Sequence, residues 1–139
     1  MKKFIPGCFI NRLQKAVSNE IFQLIEEGYI NPEDVDPALK TSLAVRWLGT
    51  GYIQGMDFGG LDVVLQARTL SPVKASIKFL EDKVARGQLG VKSGEGFYSY
   101  EGKSIEEWIR QRDISFIKIV ELMEKLEPIG NILPDSKIR

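Results

Sequence analysis

The sequence predicts an all-α fold, on three observations. Apolar residues recur at helical spacing over most of the chain. Several segments open with a capping residue followed by proline or glutamate. No run is assigned as a strand with confidence, and there is no internal repeat or low-complexity segment. At 139 residues the chain is expected to form one domain around a single core.

Each element follows from its own residues. Leu13, Val17, Ile21, Leu24 and Ile25 share one side of a first helix, and Gly28 stops it. In Asn31-Pro32-Glu33-Asp34, Asn31 is the expected N-cap and Pro32 the first helical residue. Val35, Ala38 and Leu39 mark the buried side of this short second helix. From about Gly51 to Arg68, a face of Ile53, Asp57, Leu61, Val64 and Leu65 predicts a third. Gly55, Gly59 and Gly60 lie inside it, each costing about 1 kcal/mol against alanine. Their presence implies that another backbone packs closely, or that the helix is broken.

Ser71-Pro72 repeats the cap-and-proline start for a helix with the stripe Val73, Ile77, Leu80 and Val84, stopped at Gly87. Residues 87–102 hold Gly87, Gly90, Gly94, Gly96 and Gly102 and predict a loop. Ser104-Ile105-Glu106-Glu107 forms a capping box for a long final helix, about 104–127. Its stripe is Ile105, Trp108, Ile109, Phe116, Val120 and Met123. Pro128 closes it, and 128–139 reads as a C-terminal tail, leaving 1–127 as the helical domain.

Composition narrows the function. The hydrophobic fraction is 43%, the charged fraction 27% and the formal net charge zero, which gives nucleic-acid binding little support. No apolar run approaches the ~20 residues that span a bilayer. The basic start, Met1-Lys2-Lys3-Phe4-Ile5-Pro6, lacks the apolar stretch of a signal peptide. Cys8 is the only cysteine, so no intrachain disulfide is possible and a cytoplasmic location is expected. There is no histidine. That removes the commonest general base and metal ligand, so a base for catalysis must come from another segment and no metal site is expected. Charge is unevenly spread. Residues 1–18 carry Lys2, Lys3, Arg12 and Lys15 with no acid, and 20–36 carry Glu20, Glu26, Glu27, Glu33, Asp34 and Asp36 with no base. Alternating solvated faces or a recognition surface both account for this.

Gly49-Thr50-Gly51-Tyr52-Ile53-Gln54-Gly55 has the look of a dinucleotide loop. However, Val45-Arg46-Trp47-Leu48 makes a poor buried strand before it. No acid lies between Asp62 and Glu81 to meet a ribose. No cofactor-binding residue is therefore assigned. Lys92-Ser93-Gly94-Glu95-Gly96 lacks the order of a phosphate loop and reads as a tight turn. Lys74 and Lys78, four apart, read as a solvated face or as a contact to a phosphate-bearing ligand. Cys8 reads as a small core residue. Asn11 has two readings. It caps the first helix, with Gln14 completing the box, or its amide orients a substrate oxygen beside a base on another domain.

Four ordered segments resemble the 3-hydroxyacyl-CoA dehydrogenase family. Ile5-Pro6-Gly7-Cys8-Phe9-Ile10-Asn11-Arg12 is similar to its Pro-Gly-Phe-Ile-Val-Asn-Arg. Glu26-Glu27-Gly28 with Pro32-Glu33-Asp34-Val35-Asp36 is similar to the next segment. Arg46-Trp47 through Gly51 to Asp57-Phe58-Gly59-Gly60-Leu61-Asp62 resembles its Arg-aromatic, Gly-Pro-Phe-Glu and Asp-x-Gly-Gly-Leu-Asp stretch. Leu89-Gly90-Val91-Lys92-Ser93-Gly94-Glu95-Gly96-Phe97-Tyr98 resembles its Leu-Gly-x-Lys-Thr-Gly-x-Gly-Phe-Tyr. The likeness covers residues 5–100, and the final helix with Arg112-Asp113 is similar to extended members.

The resemblance implies a helical bundle like the C-terminal dimerisation domain of 3-hydroxyacyl-CoA and 6-phosphogluconate dehydrogenases. It implies an NAD-dependent L-3-hydroxyacyl-CoA dehydrogenase of the fatty-acid β-oxidation type, for which this chain supplies part of the acyl-CoA site and the dimer interface. NAD and the catalytic His-Glu pair would belong to a Rossmann domain, in cis or trans, that this chain does not include. The chain alone would be inactive and bind no cofactor. The family's substrate-orienting asparagine maps onto Asn11. Tyr52, Ile53 and Gln54 depart from the family's Pro, Phe and Glu, Ala44 stands where glycine is usual, and Cys8 replaces an aromatic residue. The alternative is a stand-alone helical dimerisation or interaction protein derived from that domain.

Overall fold

The structure, a computed structural model, describes residues 6–70 and 77–126. Among them helix predominates and pairing of extended backbone is limited to the isolated bridges Gly90–Glu95 and Glu95–Ser99. The described residues fall into two compact units, divided between Thr41 and Ser42.

The first unit holds α1 (Phe9–Glu26) and α2 (Pro32–Ala38). A turn at Gly7 (φ 83°) and Cys8 (φ 53°) leads into α1. Cys8 occupies the N-cap position without a side-chain bond, and it is exposed, so it is not a core residue. The expected stripe is recognisable, with Val17, Ile21, Leu24 and Ile25 half-buried, but no residue of α1 or α2 is fully buried. Gly28 ends α1 at φ 76°. The Gly28 amide donates to Ile25 O (3.0 Å) and that of Tyr29 to Leu24 O (2.9 Å), the paired bonds of a Schellman stop. Asn31 precedes Pro32 at the start of α2 as expected, though its amide donates to the Asp34 carboxylate (3.0 Å) rather than capping through its oxygen. Pro37 sits inside α2 and has no N–H to give the ladder. A π-helical segment, Leu39–Ala44, follows.

The second unit contains α3 (Val45–Thr50), α4 (Tyr52–Gly59), α5 (Leu61–Thr69), α6 (Lys78–Ala85), a short 3₁₀ turn (Val91–Ser93) and α7 (Ile105–Lys125). The helix predicted across Gly51–Arg68 is two helices. Gly60 adopts φ 91°, which an L side chain rarely tolerates, and the chain turns there. The Leu61 amide then donates to Leu89 O (3.0 Å), tying the start of α5 to the glycine-rich loop. Val45, Leu61, Leu80, Val91 and Tyr100 form the core.

Ser104 starts α7 as predicted, its hydroxyl oxygen accepting from the Glu107 amide (3.2 Å). The helix packs on α3, where a Cβ at Gly49 would lie 2.5 Å from Cε1 of Phe116. This glycine makes room for an aromatic ring. Trp108, Phe116 and Met123 are half-buried, whereas Ile105, Ile109 and Val120 of the same stripe remain 40%, 37% and 44% exposed. The start at Ser71-Pro72 and the tail 128–139 lie outside the described residues. No described helix is long and apolar enough to cross a membrane.

Candidate functional site

Among the described residues the most enclosed polar side chain is Asp57, on α4, only 1% exposed. Its carboxylate accepts from the Phe97 amide (2.9 Å), the Tyr98 amide (3.0 Å) and the Tyr100 hydroxyl (2.9 Å). Two glycines make this approach possible. A Cβ on Gly90 would stand 2.1 Å from the Asp57 carbonyl oxygen, and one on Gly96 2.2 Å from Asp57 Oδ1. The sequence places Asp57 on an otherwise apolar face, and an acid there is the signal of a buried partner. It assigns the acid no role. The structure pairs two separate motifs: the aspartate of Asp57-Phe58-Gly59-Gly60-Leu61-Asp62 grips the backbone of the Gly-rich loop.

Further bonds close this clasp. Lys92 Nζ meets both oxygens of Asp62 (2.6 and 2.7 Å). Lys83 Nζ donates to Gly96 O (2.7 Å), and the Gln88 amide to Glu95 (2.7 Å). The Trp108 indole donates to Tyr100 O (2.9 Å), which carries the clasp to α7. Lys92-Ser93-Gly94 is the tight turn expected, with Gly94 left-handed at φ 77°. Burial, then the bond to Asp57 and the charge of that carboxylate, push the Tyr100 phenol well above its usual range. The Lys92 ammonium holds the exposed Asp62 carboxyl below its usual range. At the start of α7, the Glu106 carboxyl is likewise lowered, first by its own backbone amide and then by Ser104.

Asn11, the candidate substrate-orienting residue, is the third residue of α1 and is exposed. Cys8 holds the capping position, so the capping reading of Asn11 fails. Asn11 instead lines an open depression of about 550 Å³ together with Pro6, Gly7, Arg12, Lys15, Ala16 and Asn19. In the second unit, a recess of about 340 Å³ between α3, α4 and α7 is walled by Trp47, Tyr52, Met56, Phe58 and Phe116. Arg46 and Arg112 are its charges. Tyr52, a departure from the family pattern, stacks edge-on against Trp47 at 5.6 Å. The run Gly49–Gly55 forms helices α3 and α4, not a strand-borne loop, so its likeness to a dinucleotide loop ends there. Lys74 lies outside the described residues, and no group of three or more metal-ligating side chains occurs among those described.

The family model described as "3-hydroxyacyl-CoA dehydrogenase, C-terminal domain" matches residues 7–100. The chain belongs to this family. Both clasp motifs fall inside the match, as do the residues lining the depression at Asn11 except Pro6. Among relatives of the 3-hydroxyacyl-CoA dehydrogenase domain, the human mitochondrial hydroxyacyl-coenzyme A dehydrogenase is 33% identical over 70% of this chain and 32% of its own length. A 5-formyl-3-hydroxy-2-methylpyridine 4-carboxylate 5-dehydrogenase from Mesorhizobium japonicum is 25% identical over 91% of this chain and 43% of its own. The crystal structure of a 3-hydroxyacyl-CoA dehydrogenase from Archaeoglobus fulgidus superposes with a TM-score of 0.68 at 29% identity. It covers 84% of this chain and 42% of that one. The chain thus spans less than half the length of these dehydrogenases.

Proposed function

We propose that this chain is the helical half of an NAD-dependent L-3-hydroxyacyl-CoA dehydrogenase, converting a 3-hydroxyacyl-CoA to the 3-oxoacyl-CoA. In that reaction the hydride leaves C3 for the nicotinamide, and the hydroxyl proton passes to a base. The observation that carries the reading is the family match over residues 7–100, which includes Asn11, in a chain without histidine. The base and the NAD site then belong to a Rossmann domain joined in cis or in trans. Asn11 contributes an amide that holds the substrate's 3-oxygen beside that base. Its exposure on the first turns of α1 leaves the amide accessible to a ligand.

The same reading makes the chain a homodimer. Phe9, Ile10, Leu13, Phe22 and Tyr29 of the first unit are all more than two-fifths exposed. Trp47, Leu48, Tyr52 and Ile53 of the second unit are also exposed. Exposed large apolar residues on each unit support such an interface.

The test pairs the chain with an NAD-binding domain and follows NADH formation from a 3-hydroxyacyl-CoA. Asn11→Ala should lower kcat by about a hundredfold or more, the scale of removing one oriented donor, with an unchanged melting temperature. The chain alone should neither turn over substrate nor bind NAD tightly by calorimetry. Full activity in Asn11→Ala, or tight NAD binding by the chain alone, refutes the assignment.

A further inference from the structure

The polar side of α1 carries positive charge that no described residue balances. Arg12 and Lys15, three positions apart on neighbouring turns, line one depression with Asn11 and Asn19. The ion pairs among the described residues are Lys92–Asp62 and Arg112–Asp113, so neither cation is engaged in one. No acid occurs in residues 1–18, and the first turn of α1 has none. The partial positive charge of the helix start therefore adds to theirs. The other side of α1 is apolar, with Val17, Ile21, Leu24 and Ile25 half-buried. The cations are gathered on one face rather than scattered.

Two like charges a turn apart repel one another. An anion between them reverses that sign and accepts charge-assisted hydrogen bonds from both. The side-chain amides of Asn11 and Asn19 add neutral donors on the same wall. We propose that this depression is an anion site, taking a carboxylate or phosphate group. Four residues of helix rise about 6 Å, which sets Lys15 one turn from Asn11. The anion site does not rest on the dehydrogenase reading.

Amide NMR of the labelled full chain tests it, with 3-hydroxybutyrate, its methyl ester and inorganic phosphate as probes. A saturable shift at Asn11, Arg12, Lys15, Ala16 and Asn19 is expected with an anion and none with the ester. Saturation by 3-hydroxybutyrate alone identifies a carboxylate as the ligand group. Saturation by phosphate alone identifies a phosphate, and saturation by both supports a site general for either. Arg12→Gln and Lys15→Gln should each weaken binding by about tenfold, the worth of one hydrogen bond to a charged group. Arg86→Gln, which removes the same charge from an exposed position in the other unit, should not.

Failure of both anions to saturate, an equal response to the ester, or equal weakening by Arg86→Gln overturns the proposal. The two readings fail separately. An anion site in a protein whose Asn11→Ala variant keeps full turnover removes only the dehydrogenase role of Asn11. Loss of turnover in Asn11→Ala without anion binding removes only the site.

Discussion

Replacing Asp57 tests whether the paired motifs act as a structural clasp. In Asp57→Ala three donors lose their acceptor: the Phe97 and Tyr98 amides and the Tyr100 hydroxyl. Hydrogen bonds to a charged group are worth about 1.5–3 kcal/mol each, which would sum to about 4.5–9 kcal/mol. That sum is too large. Phe97 is half-buried and Tyr98 exposed, so water reaches their amides once the loop loosens, and only the Tyr100 hydroxyl is left in a dry site. A loss of about 3–5 kcal/mol is expected, in the range for removing one partner from a buried charged network.

Against a typical domain stability of about 5–15 kcal/mol, that is a large fraction. Asp57→Asn keeps the shape but turns one acceptor into a donor facing donors, and about 2–3 kcal/mol should go. Urea unfolding followed by tryptophan fluorescence is the assay, because the Trp108 indole bonds directly to Tyr100 O in the clasp. Proton exchange at the Phe97 and Tyr98 amides should accelerate in parallel. If Asp57→Asn falls within about 0.5 kcal/mol of the parent, the level of an ordinary surface change, the clasp argument is wrong.

Two further outcomes follow from the same geometry. Gly96→Ala would set a Cβ 2.2 Å from Asp57 Oδ1 and should cost at least as much as Asp57→Asn. Gly94→Ala, with nothing within 4 Å but φ at +77°, should cost only about 1–2 kcal/mol, as thermal melts of the pair can show. In alkali, Tyr100, one of 4 tyrosines, should ionise only well above the usual phenol range. Its folded pKa is raised above the unfolded value near 10, so its stabilising contribution is complete below about pH 10 and is lost as pH rises toward the folded value. Phenolate absorbance and circular dichroism should therefore show one tyrosine ionising together with alkaline unfolding; four tyrosines ionising alike in a folded chain would contradict it.

The sequence by itself determined the helical class and the positions of several starts and stops, though not the helix Val45–Thr50 or the π-helical segment before it. The Ser104 cap, Pro32 at the head of α2 and the Gly28 stop act through bonds a few residues long, which the local pattern encodes. It also located the Gly-rich loop, since left-handed backbone at Gly87, Gly90, Gly94 and Gly102 is a local demand. Other features were decided only by the tertiary structure. The break at Gly60 accompanies the bond of Leu61 to Leu89, and Gly49 is required by the ring of Phe116 on α7. Asp57 finds its partners about forty positions away, at Phe97, Tyr98 and Tyr100. Two of those donors are backbone amides, which nearly every residue possesses. A carboxylate that binds them leaves no mark on side-chain identity at the far end, so only the folded chain reveals which amides it holds.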